Sequence, residues 1–192
     1  MKQPPLRAVA MVLIVLAGAA CGTGTPSATP TPAAASFEAA ASFEEYSVAF
    51  CSAFDALFQA VGNPDTGTAS VLSKSLDDAV AAGDVASAER LAATITSKLE
   101  TGRQQAAAAR RWQPAGPTMV QLDRVLVASE AMIAAKRAAA GHAPGAVDPQ
   151  TALEQAGGVE AWFAMLPMLQ ATGATRPAGA TAQPCATVPV TP

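Results

Sequence analysis

Histidine is almost absent from this chain, and its scarcity excludes several kinds of site. His142 is the only histidine among 192 residues, and there is no Cys-x-x-Cys pair. Metal and haem sites, and the di-iron sites of helical bundles, need several histidine, cysteine or carboxylate ligands at set spacings. A hydrolytic triad needs a base with an orienting partner, and neither a Gly-x-Ser-x-Gly elbow nor a glycine-rich phosphate loop occurs. We therefore predict a non-enzymatic protein with no catalytic residue, metal or cofactor, in which His142 is a solvated loop residue.

Basic residues are also few. The chain holds 12 Lys and Arg against 15 Asp and Glu, a net charge of −3, and it has no basic run. Nucleic-acid binding relies on lysine and arginine to neutralise phosphates, so nucleic acid is not an expected partner. A small basic group is expected to complement acidic helices or to be solvated, with anionic headgroups or a phosphorylated ligand as the alternative. It comprises Lys98, Arg103, Arg110 and Arg111.

Aromatic residues make up only 5% of the chain, although 51% of it is hydrophobic. This composition predicts a thin core made of close contacts between helices. Only one long hydrophobic run occurs, Ala8 to Ala20, and its roughly 13 residues fall short of the roughly 20 that a membrane-spanning helix needs. Because Lys2 and Arg7 precede this run and small residues end it, it is typical of a cleavable export signal.

Cys21 directly follows the small residues that end the run. Up to about residue 25, the chain resembles bacterial lipoprotein precursors. The resemblance implies that a diacylglycerol alkylates the Cys21 thiol and that this cysteine becomes the mature N-terminus. The lipidated cysteine would then anchor the protein to the membrane, since two acyl chains give stable membrane attachment. Gly18 departs from the pattern, since leucine is usual three residues before the cysteine. The alternative is an ordinary signal-peptidase cut after Ala17–Ala19, which leaves Cys21 a free thiol.

Composition divides the chain behind the signal into three parts. The stretch up to Ala41 consists mainly of Thr, Pro, Ser, Ala and Gly, with almost nothing to bury, so we expect a disordered tether. The end of the chain is again small and proline-rich. The predicted organisation is a signal peptide at 1–20, a lipidated cysteine and tether at 21–41, an α-helical domain at 42–171 and a proline-rich tail at 172–192.

The predicted domain is a small all-α bundle of about four to six helices. Ser42 and Glu45 have the spacing of a capping box, and apolar residues then recur every three or four positions. No strand-like alternation of useful length is found. Pro167 is expected to kink or fray the end of the last helix. The predicted helices lie at 42–61, 70–82, 84–111 and 118–140, with a fifth from 148 that Gly157 and Gly158 interrupt.

One stripe of residues and two aromatic side chains test which faces of the helices are buried. On the third helix, apolar and small residues follow one another at steps of three and four from Val85 to Ala109, which predicts a buried stripe. On the last helix, Phe163 is expected to face inward beside Trp162. Trp112 would mark a binding surface if it were exposed.

Cys51 and Cys185 form an even pair once Cys21 is assigned to lipid. In an oxidising compartment such a pair predicts a disulfide that staples the tail to the first helix. We expect Cys185 alone to hold that tail. The alternative is two free thiols.

The functional hypothesis is a lipid-anchored interaction or scaffold module at the outer face of the cytoplasmic membrane, with an unidentified protein as partner. The alternative is a bundle that binds a small apolar solute or lipid. Its candidate pocket is formed by Phe54, Phe58, Met132 and Trp162. A cavity of a few hundred Å³ lined by these residues would favour the ligand, and an exposed apolar patch near either tryptophan would favour a protein partner.

Overall fold

The computed structural model describes residues 42–180 and Cys185. The predicted signal peptide, Cys21, the tether and the other residues beyond 180 lie outside the described residues. Within the described part, six α-helices and a two-strand hairpin confirm the all-α bundle. A short 3-10 helix at Gln113–Ala115 precedes the fourth helix. The elements are α1 (Phe43–Ala60), β1 (Gly62–Asn63), β2 (Thr68–Ala69), α2 (Val71–Ala81), α3 (Val85–Ala109), α4 (Gly116–Ala140), α5 (Pro149–Gln155) and α6 (Gly158–Ala174).

Side-chain caps begin the helices where the sequence predicts them. The Ser42 hydroxyl accepts from the Glu45 amide at 3.1 Å, and Glu45 Oε2 accepts from the Ser42 amide at 2.8 Å, which is the predicted capping box. Asp84 caps α3 by accepting from the Ser87 amide at 3.0 Å. That backbone hydrogen bond lowers the pKa of Asp84 because it favours the charged carboxylate.

The core lies where α3 packs between α1 and α4. Its buried stripe follows the predicted positions from Ala88 to Ala109. At Gly102 an added Cβ would lie only 3.2 Å from Ala56 Cβ and 3.1 Å from Leu126 Cδ2, so the small residue permits the close approach of three helices. Val85 was wrongly predicted to be buried: it is 42% exposed, because it opens the first turn of α3 before the helix reaches its neighbours.

The aromatic side chains of α1 contact one another in a row along the helix, here called the ladder, and two tryptophans from elsewhere in the chain pack against this row. Trp112 is buried, with its ring centroid 5.1 Å from that of Phe43 and 4.7 Å from that of Tyr46. It therefore offers no exposed binding surface. Burial raises the pKa of Tyr46 to about 12. At the other end of the ladder, the Phe54 and Trp162 ring centroids lie 6.3 Å apart.

The tail returns to α1, as the predicted staple requires. Cys51 and Cys185 form a disulfide with Cα atoms 5.0 Å apart, and the prediction is confirmed. The expectation that Cys185 alone holds the tail is wrong. Ala180 packs against the core, Arg176 Nε donates to its carbonyl at 3.0 Å, and the Arg176 guanidinium lies 5.8 Å from the Phe43 ring centroid.

Two local features add detail to the bundle. The β1–β2 hairpin pairs Gly62 with Ala69 and Asn63 with Thr68, and strands of two residues are too short to show any periodicity. The helix α6 continues past Pro167 to Ala174. Pro167 is exposed, so its ring can face solvent while the buried side of the helix keeps its contacts.

One guanidinium joins α3 to α4. Arg103 Nε lies 3.1 Å from Asp123 Oδ1, and its Nη1 lies 3.4 Å from Glu100 Oε2 and 3.8 Å from Glu130 Oε1. This member of the basic group complements acidic residues as expected. Glu130 Oε1 is buried and has no hydrogen-bond partner in the described part of the chain. Burial raises the pKa of Glu130 although Arg103 opposes the shift.

The raised pKa of Glu130 predicts the effect of removing its charge. Near neutral pH, Glu130→Gln should increase the free energy of unfolding by up to about 1 kcal/mol, because the folded state no longer buries a carboxylate. Since the folded pKa lies above the unfolded one, protonation stabilises the wild type. The advantage of the variant should therefore shrink as the pH falls toward 4 in urea titrations. Glu100→Gln, at a more exposed partner of Arg103, should change stability by less than about 0.5 kcal/mol. A variant less stable than wild type at neutral pH would show that pairing outweighs burial.

Candidate functional site

A cleft of about 610 Å³ opens between the hairpin and four of the helices. Its volume falls within the roughly 300–1,000 Å³ of small-molecule sites. One face of α4 provides Val125, Ser129, Met132 and Lys136, at steps of four, three and four. The hairpin and α6 provide most of the other lining residues, and α2 and α5 provide two each.

The hairpin wall depends on a glycine. Gly62 has a φ of 109°, in the region where side chains are strained. An added Cβ would collide with the carbonyl oxygen of Thr68 and would lie 2.7 Å from Ser70 N, so only glycine permits this pairing. Ser70 also donates from its hydroxyl to the Ala60 carbonyl at 2.9 Å. The hairpin is thereby held against the end of α1.

A hydrogen bond between two residues of the cleft lining joins the hairpin to α6. Trp162 Nε1 donates to Asp65 Oδ1 at 2.9 Å, although 97 residues separate the two. The Asn63 side chain accepts from the Asp65 amide at 2.9 Å and fixes the turn that carries this carboxylate. The indole is buried while Asp65 is exposed, so the apolar wall has a charged residue at its edge.

The α2 end of the cleft is polar. Lys136 Nζ lies 2.6 Å from Asp77 Oδ1 and donates to Ser73 Oγ at 3.2 Å. The Lys136 side chain is only 13% exposed, whereas that of Asp77 is 50% exposed. Because an unpaired buried ammonium is costly in free energy, this lysine is held locally by its ion pair with the carboxylate and its hydrogen bond to the hydroxyl.

Beside the apolar part of the cleft, α6 packs closely against α4 and α5. At Gly158 an added Cβ would lie 2.7 Å from both Ala128 Cβ and Leu153 Cδ1. Phe163 is 66% exposed at the rim, against the inward orientation predicted from the sequence. Adjacent helical side chains diverge by about 100°, so the burial of Trp162 turns Phe163 outward.

The structure brings only two of the four predicted pocket residues to the cleft. Met132 and Trp162 line it, but Phe54 and Phe58 do not. Phe54 is fully buried and packs edge-to-face on Phe58 and at a tilt against Trp162, so its ring fills the core where a cavity was expected. Asp65 could not be singled out from the sequence, where its only signal is the turn-rich segment after α1. The ion pair of Lys136 with Asp77 has no sequence signal either, since charged residues on amphipathic helices are ordinarily solvated.

A second, smaller groove of about 370 Å³ follows α3 and α4 beside Arg103. It has no aromatic wall, and of the two arginines that line it, Arg103 is already paired with Asp123 and Glu100. The groove is therefore a weaker candidate than the cleft.

The residues that line the cleft offer apolar contacts, hydrogen-bonding groups and charges of both signs. No histidine or cysteine lines it, and its one ammonium is held in an ion pair. Across residues 42–180 and 185, the His, Cys, Asp and Glu side chains form no group of three that could hold a metal ion. His142 is exposed in the loop after α4, at a φ of 49°, and does not line the cleft.

No family model, no curated protein and no solved structure matches this chain. The fold and the cleft alone therefore define its class, a small disulfide-bonded helical bundle with an open, largely apolar cleft. Among the helices of the described part, none is both long enough and apolar enough to cross a membrane.

Proposed function

We propose that the protein is a non-enzymatic, extracytoplasmic binding protein, anchored to the membrane through Cys21, whose cleft takes a small and mainly apolar molecule. The cleft beside Trp162 carries this proposal. It has the volume of a ligand site, walls of aliphatic and aromatic side chains, and a few polar groups that can orient a ligand.

Trp112 is buried, so the surface around it lacks the exposed apolar ring that a protein partner would need there. This observation favours a ligand in the cleft over a protein partner at Trp112. A protein partner is the second candidate at the other end. It is favoured by one observation, the 66% exposure of Phe163 at the rim of the cleft. A single exposed ring offers far less area than the roughly 800 Å² per partner of a stable interface.

The anchored location is supported by two independent observations. The apolar run before Cys21 and the tether behind it are those of an exported lipoprotein. The disulfide between Cys51 and Cys185 fits an oxidising compartment, because cytosolic thiols are ordinarily kept reduced.

The anchor has a direct test. When the chain is expressed with its own leader, Cys21→Ser should move it from the membrane fraction to the soluble extracytoplasmic fraction, because the acyl chains are lost. The intact mass of the membrane-extracted wild type should show Cys21 as the first residue, with lipid attached. A mature chain that begins at Ala20, or that carries no lipid, would contradict the anchor but not export.

The cleft is tested by filling it. Val159→Trp places an indole in the apolar wall and should weaken binding of the neutral fluorophore N-phenyl-1-naphthylamine by about tenfold or more, because the space is taken. Val71→Trp is the matched control. Val71 is 83% exposed on α2 and does not line the cleft, so this variant should bind like wild type.

Titrations of fluorescence enhancement on the full chain, with Cys21→Ser to prevent acylation, measure both affinities. Equal binding by the Val159→Trp and Val71→Trp variants would place the fluorophore elsewhere and contradict the proposal. If Phe163→Ser abolished capture of a protein partner while fluorophore binding stayed intact, the second candidate would be favoured.

A further inference from the structure

The charges at the cleft are uneven, and this bears on the ligand that the proposed function requires. Three charged residues line it: Asp65, Asp77 and Lys136. The cleft therefore carries a net negative charge. Lys136 is nearly buried and is committed to Asp77 at 2.6 Å and to Ser73 at 3.2 Å. An anionic ligand would compete with Asp77 for that ammonium and would also meet the charges of both aspartates.

Asp65 is the carboxylate best placed to receive a ligand. It is exposed on the hairpin, and its Oδ1 accepts from Trp162 Nε1. Its Oδ2 has no hydrogen-bond partner among residues 42–180 and 185, and no lysine or arginine there pairs with it. This oxygen remains available to a positively charged group in the mouth of the cleft.

The aromatic residues of α6 favour the same charge. Trp162 and Phe163 both line the cleft, Trp162 donates its indole N–H to Asp65, and aromatic ring faces attract ammonium groups, tryptophan most strongly. The remaining wall is aliphatic, from Val125, Met132, Leu153 and Val159. A molecule that matches this arrangement has a cation at one end and an apolar body.

We propose that the cleft binds an apolar molecule bearing one ammonium group, with the cation at Asp65 and the rings of Trp162 and Phe163 and the apolar body along α4. The inference rests on the proposed function, since it specifies the ligand of the same cleft. A free alkylamine and a choline lipid headgroup offer this same chemistry.

Three probes with one alkyl chain test the charge. Decyltrimethylammonium, decyl maltoside and decanoate are titrated below their micellar concentrations by calorimetry into the full chain carrying Cys21→Ser. The ammonium should bind about tenfold more tightly than the carboxylate, with the neutral probe between them. Raising the salt from about 20 mM to about 500 mM should weaken the ammonium several-fold without weakening the neutral probe.

Asp65→Asn is the decisive variant, because the amide oxygen can still accept from Trp162 while the charge is lost. It should weaken decyltrimethylammonium about five- to tenfold and leave decyl maltoside within about twofold. Asp78→Asn is the matched control: Asp78 is exposed on α2 and does not line the cleft, so all three affinities should stay unchanged.

The outcomes separate this inference from the proposed function. If decanoate binds as tightly as the ammonium, and Val159→Trp removes both, the cleft is a ligand site but the cation is wrong. If no probe binds wild type more tightly than it binds the Val159→Trp variant, both proposals fail. If the Asp65→Asn variant loses all three probes equally, the carboxylate shapes the hairpin and does not select charge, which also overturns the inference.

Sedimentation with phosphatidylcholine vesicles separates the two sources of the ammonium. If the chain carrying Cys21→Ser co-sediments and the same chain with Asp65→Asn added does not, the ligand is a headgroup. If the chain carrying Cys21→Ser stays in solution and still binds decyltrimethylammonium, the ligand is a free amine.

Discussion

Cys51→Ser is expected to lower the free energy of unfolding by about 5 kcal/mol. The disulfide closes a loop over a sequence separation of 134 residues, and in the chain-entropy description a cross-link of this length removes that much freedom from the unfolded chain. Domains of this size are stable by only about 5–15 kcal/mol, so the variant should melt at a markedly lower temperature.

The control for this prediction is the other half of the bond. Cys185→Ser should cost about as much as Cys51→Ser, and the double variant no more than either single one, because one bond is lost in all three. Wild type unfolded in urea with a reductant should match them. A double variant much less stable than both single variants would mean that each cysteine contributes to packing independently of the bond.

Gly62→Ala is expected to lower the free energy of unfolding by about 2–4 kcal/mol. Two costs combine there. The backbone at a φ of 109° strains any side chain, and the new Cβ would collide with the Thr68 carbonyl across the hairpin. Displacing the hairpin would also break the hydrogen bond between Asp65 and Trp162, so probe binding at the cleft should fall with stability.

Gly67→Ala separates strain from collision. Gly67 also has a positive φ, of 64°, but an added Cβ would meet nothing within 4 Å. Its substitution should therefore cost only about 1 kcal/mol, the strain of the left-handed conformation. Urea unfolding followed by circular dichroism measures both variants. Equal losses at the two glycines would show that the collision at Gly62 is relieved by a small shift of the hairpin.

The helices and their ends were predictable because their causes are local. The capping box of Ser42 and Glu45 involves residues three apart, and the stripe of α3 from Ala88 to Ala109 follows from helical periodicity alone. The disulfide followed from parity and compartment, without any geometry. Pro167 lies inside α6, which continues to Ala174.

The cleft was only half predictable. Periodicity placed Phe54, Phe58, Met132 and Trp162 on apolar faces but did not distinguish a filled core from an open wall. The structure buries Phe54 against Trp162 and leaves Met132 beside empty space. The ion pair of Lys136 with Asp77 joins residues whose helices are separated by the whole of α3, so no spacing in the sequence reports it.

By itself, the sequence determined the helical class, the starts of the capped helices and the partner of Cys51. These depend on residue type and on neighbours within a few positions, or on which cysteines are available to pair. Only the tertiary structure decided where the bundle stays open and which charges face the opening. The cleft is the space left between five elements, and its closing contact joins Asp65 to Trp162 across 97 residues. Helical periodicity describes one helix at a time, whereas a cavity depends on how several helices fail to fill the volume between them.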